Sequence, residues 1–209
     1  MTTARTSASG GLGTLPQMLI ADLTHFQDMP DDAPGPARNL AAHLERVVRA
    51  ATAGDAGAPW ASALPCGRRP GRRPCPGRIV VQRREPPAAI EWRCDACGDD
   101  GAISGWEDTP YDLRRRHLAV AGTVHEVVIG DHVAAALREL MLLDPDNERL
   151  VYSLRAHPDG AALTATVREL EDLTCCVAAE ANHDDNRRRQ HRLDAAFTVL
   201  NDALTAMDR

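Results

Sequence analysis

Four cysteines constrain this chain more than any other feature. Cys66, Cys75, Cys94 and Cys97 are separated by eight, eighteen and two residues. Zinc takes four tetrahedral ligands, and four thiolates make a closed structural site. The usual frame has two knuckles at β-turns, with backbone amides directed at the sulfurs. Gly98 follows Cys97 and permits the tight turn, while Pro76 and Gly77 follow Cys75. The second knuckle is therefore regular, and the first is stretched by the loop GRRPGRRP. The stretch GRIVVQRREPPAAIEWR between them can form two antiparallel strands that bring the knuckles together. Two other readings stay open: cysteines as small core hydrophobes, and a redox pair at Cys94 and Cys97, which lacks a βαβ context. His43 and His117 are the alternatives to Cys66 as fourth ligand, and spacing favours neither.

A reduced compartment gives these thiols their meaning. No apolar run approaches the roughly 18–20 residues of a membrane span, and the N-terminus lacks the apolar core of a signal peptide. The expectation is a cytoplasmic protein without membrane contact, whose cysteines are not a disulfide framework. The 209 residues suffice for one domain or two small ones. Only 3% are aromatic, so the core must rest on Leu, Val, Ile and Ala. The net charge of −6 argues against a generally basic nucleic-acid coat protein. All 24 basic residues are Arg, which points to GC-rich coding.

The chain divides into four parts. Residues 1–14 read as a disordered Thr/Ser/Gly tail. Residues 15–54 read as helical: Leu15, Met18, Leu19, Leu23 and Phe26 share one face, and a strong helix follows from Pro36 to Gly54. Leu40, Leu44, Val47, Val48 and Ala51 form its apolar stripe. Residues 55–112 alternate short β-like runs (WASAL, RIVVQR, AIEWRC, AISGW) with Pro and Gly, and need a staple. Residues 113–209 read as an α+β unit. It comprises a strand HEVVI, a helix with Asp131 as N-cap, and a hairpin RLVYSLRAHPDGAALTATV. A capping box at Thr166 and Glu169 opens the next helix, and a last helix starts near NRRRQHR. The fold class is α+β: a small central zinc ribbon between an N-terminal helical segment and a C-terminal hairpin-plus-helices unit.

Residues 60–110 thus resemble a zinc ribbon. More loosely, SALPCGRRPGRRPCPGRI, WRCDACGDDGAISGWEDTPYDL and VAAEANHDDNRRRQHRLDAAF are similar to a group of zinc-ribbon proteins of GC-rich actinobacteria. That group has no established activity, so the resemblance implies no catalytic residues.

Charge is split across the ribbon. Eight Arg lie between Trp60 and Arg93, whereas six acids and no Arg lie between Cys94 and Asp112. Arg suits bidentate phosphate contact. Arg68, Arg69, Arg72, Arg73 and Arg78 are the candidate contacts for a nucleic acid or an acidic protein surface, with Trp60 or Trp92 as stacking partners. The bland alternative is a solvated loop, or one docked on the acidic half. Glu180 and His183 have the spacing of a bundle metal pair without companions. Cys175 and Cys176 sit on an apolar helix, so one should face the core. No nucleophile elbow, phosphate loop or H-E-x-x-H motif appears. The expected function is a non-enzymatic binding protein with structural zinc, with regulation as its expected setting. The alternative is an interaction or scaffold protein, homodimeric through its C-terminal helices, without nucleic acid.

Overall fold

The computed structural model describes residues 18–27, 29–30, 32–84, 88–116 and 122–207. The tail 1–14 and His117 lie outside them. The described residues form a mixed α+β fold of eight strands in one sheet and five α-helices.

The first helix, α1 (Gly35–Ala53), has Pro in its first turn and buries Leu44, Val47, Val48 and Ala51 on one side. Pro there costs nothing, because its missing N–H has no helical acceptor. Gly54 closes the helix, its N–H donating to Ala50 O at 3.4 Å. The buried Arg83 adds donors to Ala51 O and Gly54 O, both at 3.2 Å, where the helix leaves carbonyls unmatched.

Four strands lie against α1: β2 (Trp60–Pro65), β3 (Arg78–Gln82), β4 (Ile90–Cys94) and β5 (Asp100–Ser104). They pair antiparallel in the order β2–β3–β4–β5. Residues alternate in and out, most clearly in β4, where Ile90, Trp92 and Cys94 are buried while Glu91 and Arg93 are exposed. Register aligns Ile79 with Cys94, Val81 with Trp92, and Ile90 with Ile103. Their inner rows, with Trp60 and Leu64, meet the α1 stripe in one core. Each fully buried aliphatic side chain there contributes about 1.5–3 kcal/mol of transfer free energy. The strand-rich stretch is therefore not held by a metal alone; α1 supplies the apolar partner that its own sequence lacks.

The remaining strands are β6 (Val124–Ile129), β7 (Arg155–His157) and β8 (Gly160–Thr166). With β1 (Leu19–Asp22) at one edge, the sheet order is β1-β5-β4-β3-β2-β7-β8-β6. The seam between its two parts is narrow: Ser62 pairs with Arg155, and Ala63 N donates to Leu154 O at 2.9 Å. Helices α2 (Asp131–Arg138), α3 (Pro145–Tyr152), α4 (Val167–His183) and α5 (Arg187–Met207) build the second core on β6 and β8. Arg49 of α1 ties the parts together: it bonds Glu148 of α3 at 2.7 Å and lies over the Tyr111 and Tyr152 rings. Arg78 of β3 does the same by pairing with Asp131 at the start of α2.

Several sequence expectations change here. The helix expected over residues 15–26 is, in its described part, strand β1 (Leu19–Asp22) and a 3-10 turn, Leu23–Phe26. Strand β1 pairs parallel with β5. The open edge of β5 offers hydrogen bonds that a short amphipathic stretch cannot match alone, so tertiary pairing decides. Asp22 then accepts from Thr24 N and starts the turn. The expected hairpin splits: Arg149 to Tyr152 end α3, which Asp144 caps and Pro145 opens, and only β7 and β8 form the hairpin. Gly130, not Asp131, occupies the N-cap of α2, which leaves the Asp131 carboxylate for Arg78. The capping box at Thr166 and Glu169 is present in full. Among the described residues no helix is long and apolar enough to cross a membrane.

Candidate metal centre

The inner row of β4 runs out at Cys94, and there the four cysteines meet. Cys66 follows β2 and is anchored by its N–H to Gly77 O at 2.9 Å. The chain then loops out through residues 67–74 and returns at Cys75, whose N–H donates to Arg68 O at 2.9 Å. Cys94 ends β4, and a tight turn brings round Cys97. Cys94 N to Asp99 O at 2.7 Å and Asp95 N to Arg78 O at 3.1 Å lock this turn against β3.

The four Sγ atoms all lie within 4.8 Å of one another and can hold a metal ion. Cys66 to Cys97 and Cys75 to Cys94 are each 3.7 Å apart. A tetrahedron with metal–sulfur bonds of ~2.3 Å has edges of ~3.8 Å. A disulfide would need ~2.05 Å, and all six cysteines are free. Three backbone amides, Arg68 N, Gly77 N and Ala96 N, approach the sulfurs of Cys66, Cys75 and Cys94 at 3.4 Å each. Such donors stabilise thiolate over thiol. Cys66, Cys75 and Cys94 are at most 7% exposed, and Cys97 is exposed. Burial pushes the Cys66 thiol up, and the neighbouring Cys94 and Cys97 sulfurs add to the rise against the Arg68 amide. Four sulfurs so close can all ionise only around a cation. Donor type, distances and amide contacts thus fit a tetrahedral metal ion, and four protein ligands leave no open position for substrate or water.

Two glycines make the geometry attainable. Gly98 adopts φ +69°, a conformation disfavoured for other residues. At Gly77 a Cβ would stand 2.5 Å from Cys94 Sγ and 2.6 Å from the Ala96 methyl, so only hydrogen lets the two knuckles close. Gly77→Ala should weaken metal affinity about tenfold or more, in the range of changes that disturb ligand support. A competition titration against a chromophoric chelator measures this.

The loop between Cys66 and Cys75 places its arginines outward. Arg68, Arg69, Arg72 and Arg73 are exposed. Arg68 pairs with Asp99 at 3.3 Å. The loop turns through a 3-10 segment, Pro70–Arg72, with Gly71 at φ 59° and Arg72 at φ 67°. Arg78 differs from the other four: it donates to Ala63 O at 2.9 Å and pairs with Asp131. Trp60 and Trp92, expected as stacking partners, are 9% and 4% exposed core residues, so neither offers a ring face to a base. Their β-strand positions face α1, which the sequence spacing alone does not reveal.

His43, an alternative fourth ligand, lies beside the loop but outside the sulfur cluster, edge-on to Trp92 at 5.1 Å. Burial lowers its pKa, Arg46 reinforces this, and Asp99 opposes it. Glu180 and His183 hold no metal-like cluster among the described residues. Glu180 instead pairs with Arg189 and accepts from the amides of Met141 and Leu142. Cys175 is exposed and Cys176 half-buried, so neither joins the core as expected.

Sequence reasoning missed the flank of α1 that meets the loop: Asn39, His43 and Arg46. Their spacing of four and three residues marks one helical face, but nothing local shows which strand end that face meets. No family model, no curated protein and no solved structure matches this chain, so the likeness to actinobacterial ribbon proteins gains no family, and four clustered cysteines in a mixed α+β fold are what stands.

Proposed function

We propose that the protein is a non-enzymatic binding protein in which a structural zinc ion, held by Cys66, Cys75, Cys94 and Cys97, fixes an Arg-rich loop for contact with nucleic-acid phosphates. One observation carries this reading: the loop is bracketed by two candidate ligands and displays four exposed arginines. Among the described residues, Arg69, Arg72 and Arg73 form no ion pair. In a chain of net charge −6, uncompensated arginines on a tethered loop favour an anionic partner. Zinc suits an all-thiolate tetrahedral set and has no redox chemistry of its own. With both ribbon tryptophans buried, contact falls on the phosphate backbone and carries little sequence preference.

Arg72→Glu/Arg73→Glu should abolish binding to single-stranded oligonucleotides while leaving metal content and melting temperature unchanged. Fluorescence anisotropy across salt concentrations checks this. Binding by the wild type should weaken with salt, with each lost phosphate contact reducing the log–log slope by about 0.7. Binding that is absent at low salt, or indifferent to the reversal, would move the loop to an acidic protein partner.

A further inference from the structure

A cleft of about 860 Å³ separates α1 from the arginine loop. On the helix side it is lined by Asn39, His43 and Arg46, and on the loop side by Arg68 and Arg69. We propose that this cleft binds a nucleotide-sized organic phosphate, its phosphate held between Arg46 and Arg69 and its carbon body resting on the apolar floor.

Charge is the first reason. Among the described residues Asp99 is the sole acid lining the cleft, and Arg68 already engages it. Arg46 uses its Nε on Ala42 O at 2.9 Å, within its own helix, and pairs with no carboxylate among the described residues. Arg69 likewise has none. Two guanidinium groups lining one cleft, one from the helix and one from the loop, favour an anion there, and their planar forks match phosphate oxygens. Size is the second reason. The volume falls within the range of small-molecule sites, roughly 300–1,000 Å³, and is far larger than a bare oxyanion fills. The floor is the third. Met18, Leu19 and Leu40 supply an apolar surface. Asn39 adds an amide that can read a polar group on the ligand. Burial lowers the His43 pKa and Arg46 reinforces this, which favours its neutral, hydrogen-bonding ring.

The site is separate from the outer arginines Arg72 and Arg73. The same phosphate chemistry is offered by a free mononucleotide and by the 5′-phosphate at the end of a strand. Isothermal titration of the full chain with AMP, CMP, GMP and UMP tests the first source. A 5′-phosphorylated oligonucleotide compared with its 5′-hydroxyl form tests the second. We expect saturable binding of at least one mononucleotide, or a preference for the 5′-phosphorylated strand. Arg46→Ala or Arg69→Ala should each weaken mononucleotide binding, or the 5′-phosphate preference, about tenfold or more, whereas Arg72→Glu/Arg73→Glu should leave mononucleotide binding within twofold. Both single variants alter exposed side chains, and matching thermal melts would show that they fold. If no phosphate probe binds, or if binding survives both single variants unchanged, the assignment is overturned. Mononucleotide binding that survives Arg72→Glu/Arg73→Glu while long strands fail to bind would keep the cleft and remove the nucleic-acid reading.

Discussion

Cys94→Ser should cost this protein its metal and about 3–5 kcal/mol of stability, because metal loss is among the few mechanisms behind the largest single-residue effects. Cys94 is the most deeply buried of the four, and its sulfur receives the Ala96 amide and faces Cys75 Sγ at 3.7 Å. A serine oxygen is shorter, harder and protonated at neutral pH, so it replaces a thiolate poorly. The remaining three sulfurs would revert toward thiols. In zinc-finger peptides binding of the metal supplies ~10–16 kcal/mol, nearly the whole of folding. Here the effect is smaller, because α1 and the inner rows of β2 to β5 keep a core without the ion. Damage should therefore be local. Hydrogen exchange should rise at residues 66–77 and 94–99, where the chain is held mainly by the sulfurs and a few backbone bonds. The second core, on β6, β8 and α2 to α5, should keep its protection. Elemental analysis and exchange mass spectrometry read both parts. Unchanged metal content with an unchanged melt would contradict the four-sulfur centre.

Glu180→Ala should be among the most damaging single changes in the C-terminal part, at about 3–5 kcal/mol, because it leaves two part-buried amides without an acceptor and takes from Arg189 one of its two carboxylates. Glu180 is buried in α4, pairs with Arg189 of α5, and accepts from Met141 N at 2.9 Å and Leu142 N at 3.1 Å. Arg189 also reaches Asp184 and donates to Glu139 O at 2.8 Å. One carboxylate thus fixes the α4–α5 turn and the segment after α2 together. Removing it leaves two amides without an acceptor and Arg189 with Asp184 as its remaining carboxylate. Glu180→Gln keeps an acceptor and should lose about half as much.

The same group sets an acid limit. Burial acts to raise the Glu180 pKa, but Arg189 and the two amides outweigh it and hold the carboxyl below the usual glutamate value. A depressed folded pKa contributes stability that is complete above the unfolded value, ~4.3. That contribution is lost as pH falls through ~4.3 toward the lower folded value. Thermal melts between pH 7 and pH 3 should show this acid limb flattened in Glu180→Gln.

What the sequence made legible follows from how local each signal is. The cysteine spacing, Gly77 and Gly98 are short-range requirements of a knuckle, and the four sulfurs do come together. The β-like runs WASAL, RIVVQR and AIEWRC, set between Pro and Gly, each contain a strand. The Thr166 and Glu169 box needs only four residues and is present. Illegible features depend on distant partners. Strand β1 exists because β5 has a free edge 80 residues later. The start of α3 was readable in Asp144 and Pro145, an N-cap followed by Pro, but the apolar residues after it fitted a strand equally well. That Trp60 and Trp92 turn inward depends on α1 lying over them, and no spacing reports that.

The most direct measurement is the metal content of protein purified without added zinc, by elemental analysis, with thiol titration on the native and chelator-treated forms. About one zinc per chain is expected. Cys175 should react readily in the native form and Cys176 more slowly, because burial and Asp144 push its thiol up, and four further thiols should become reactive only once the metal is removed. A folded protein with no bound metal and all thiols equally reactive would contradict the account.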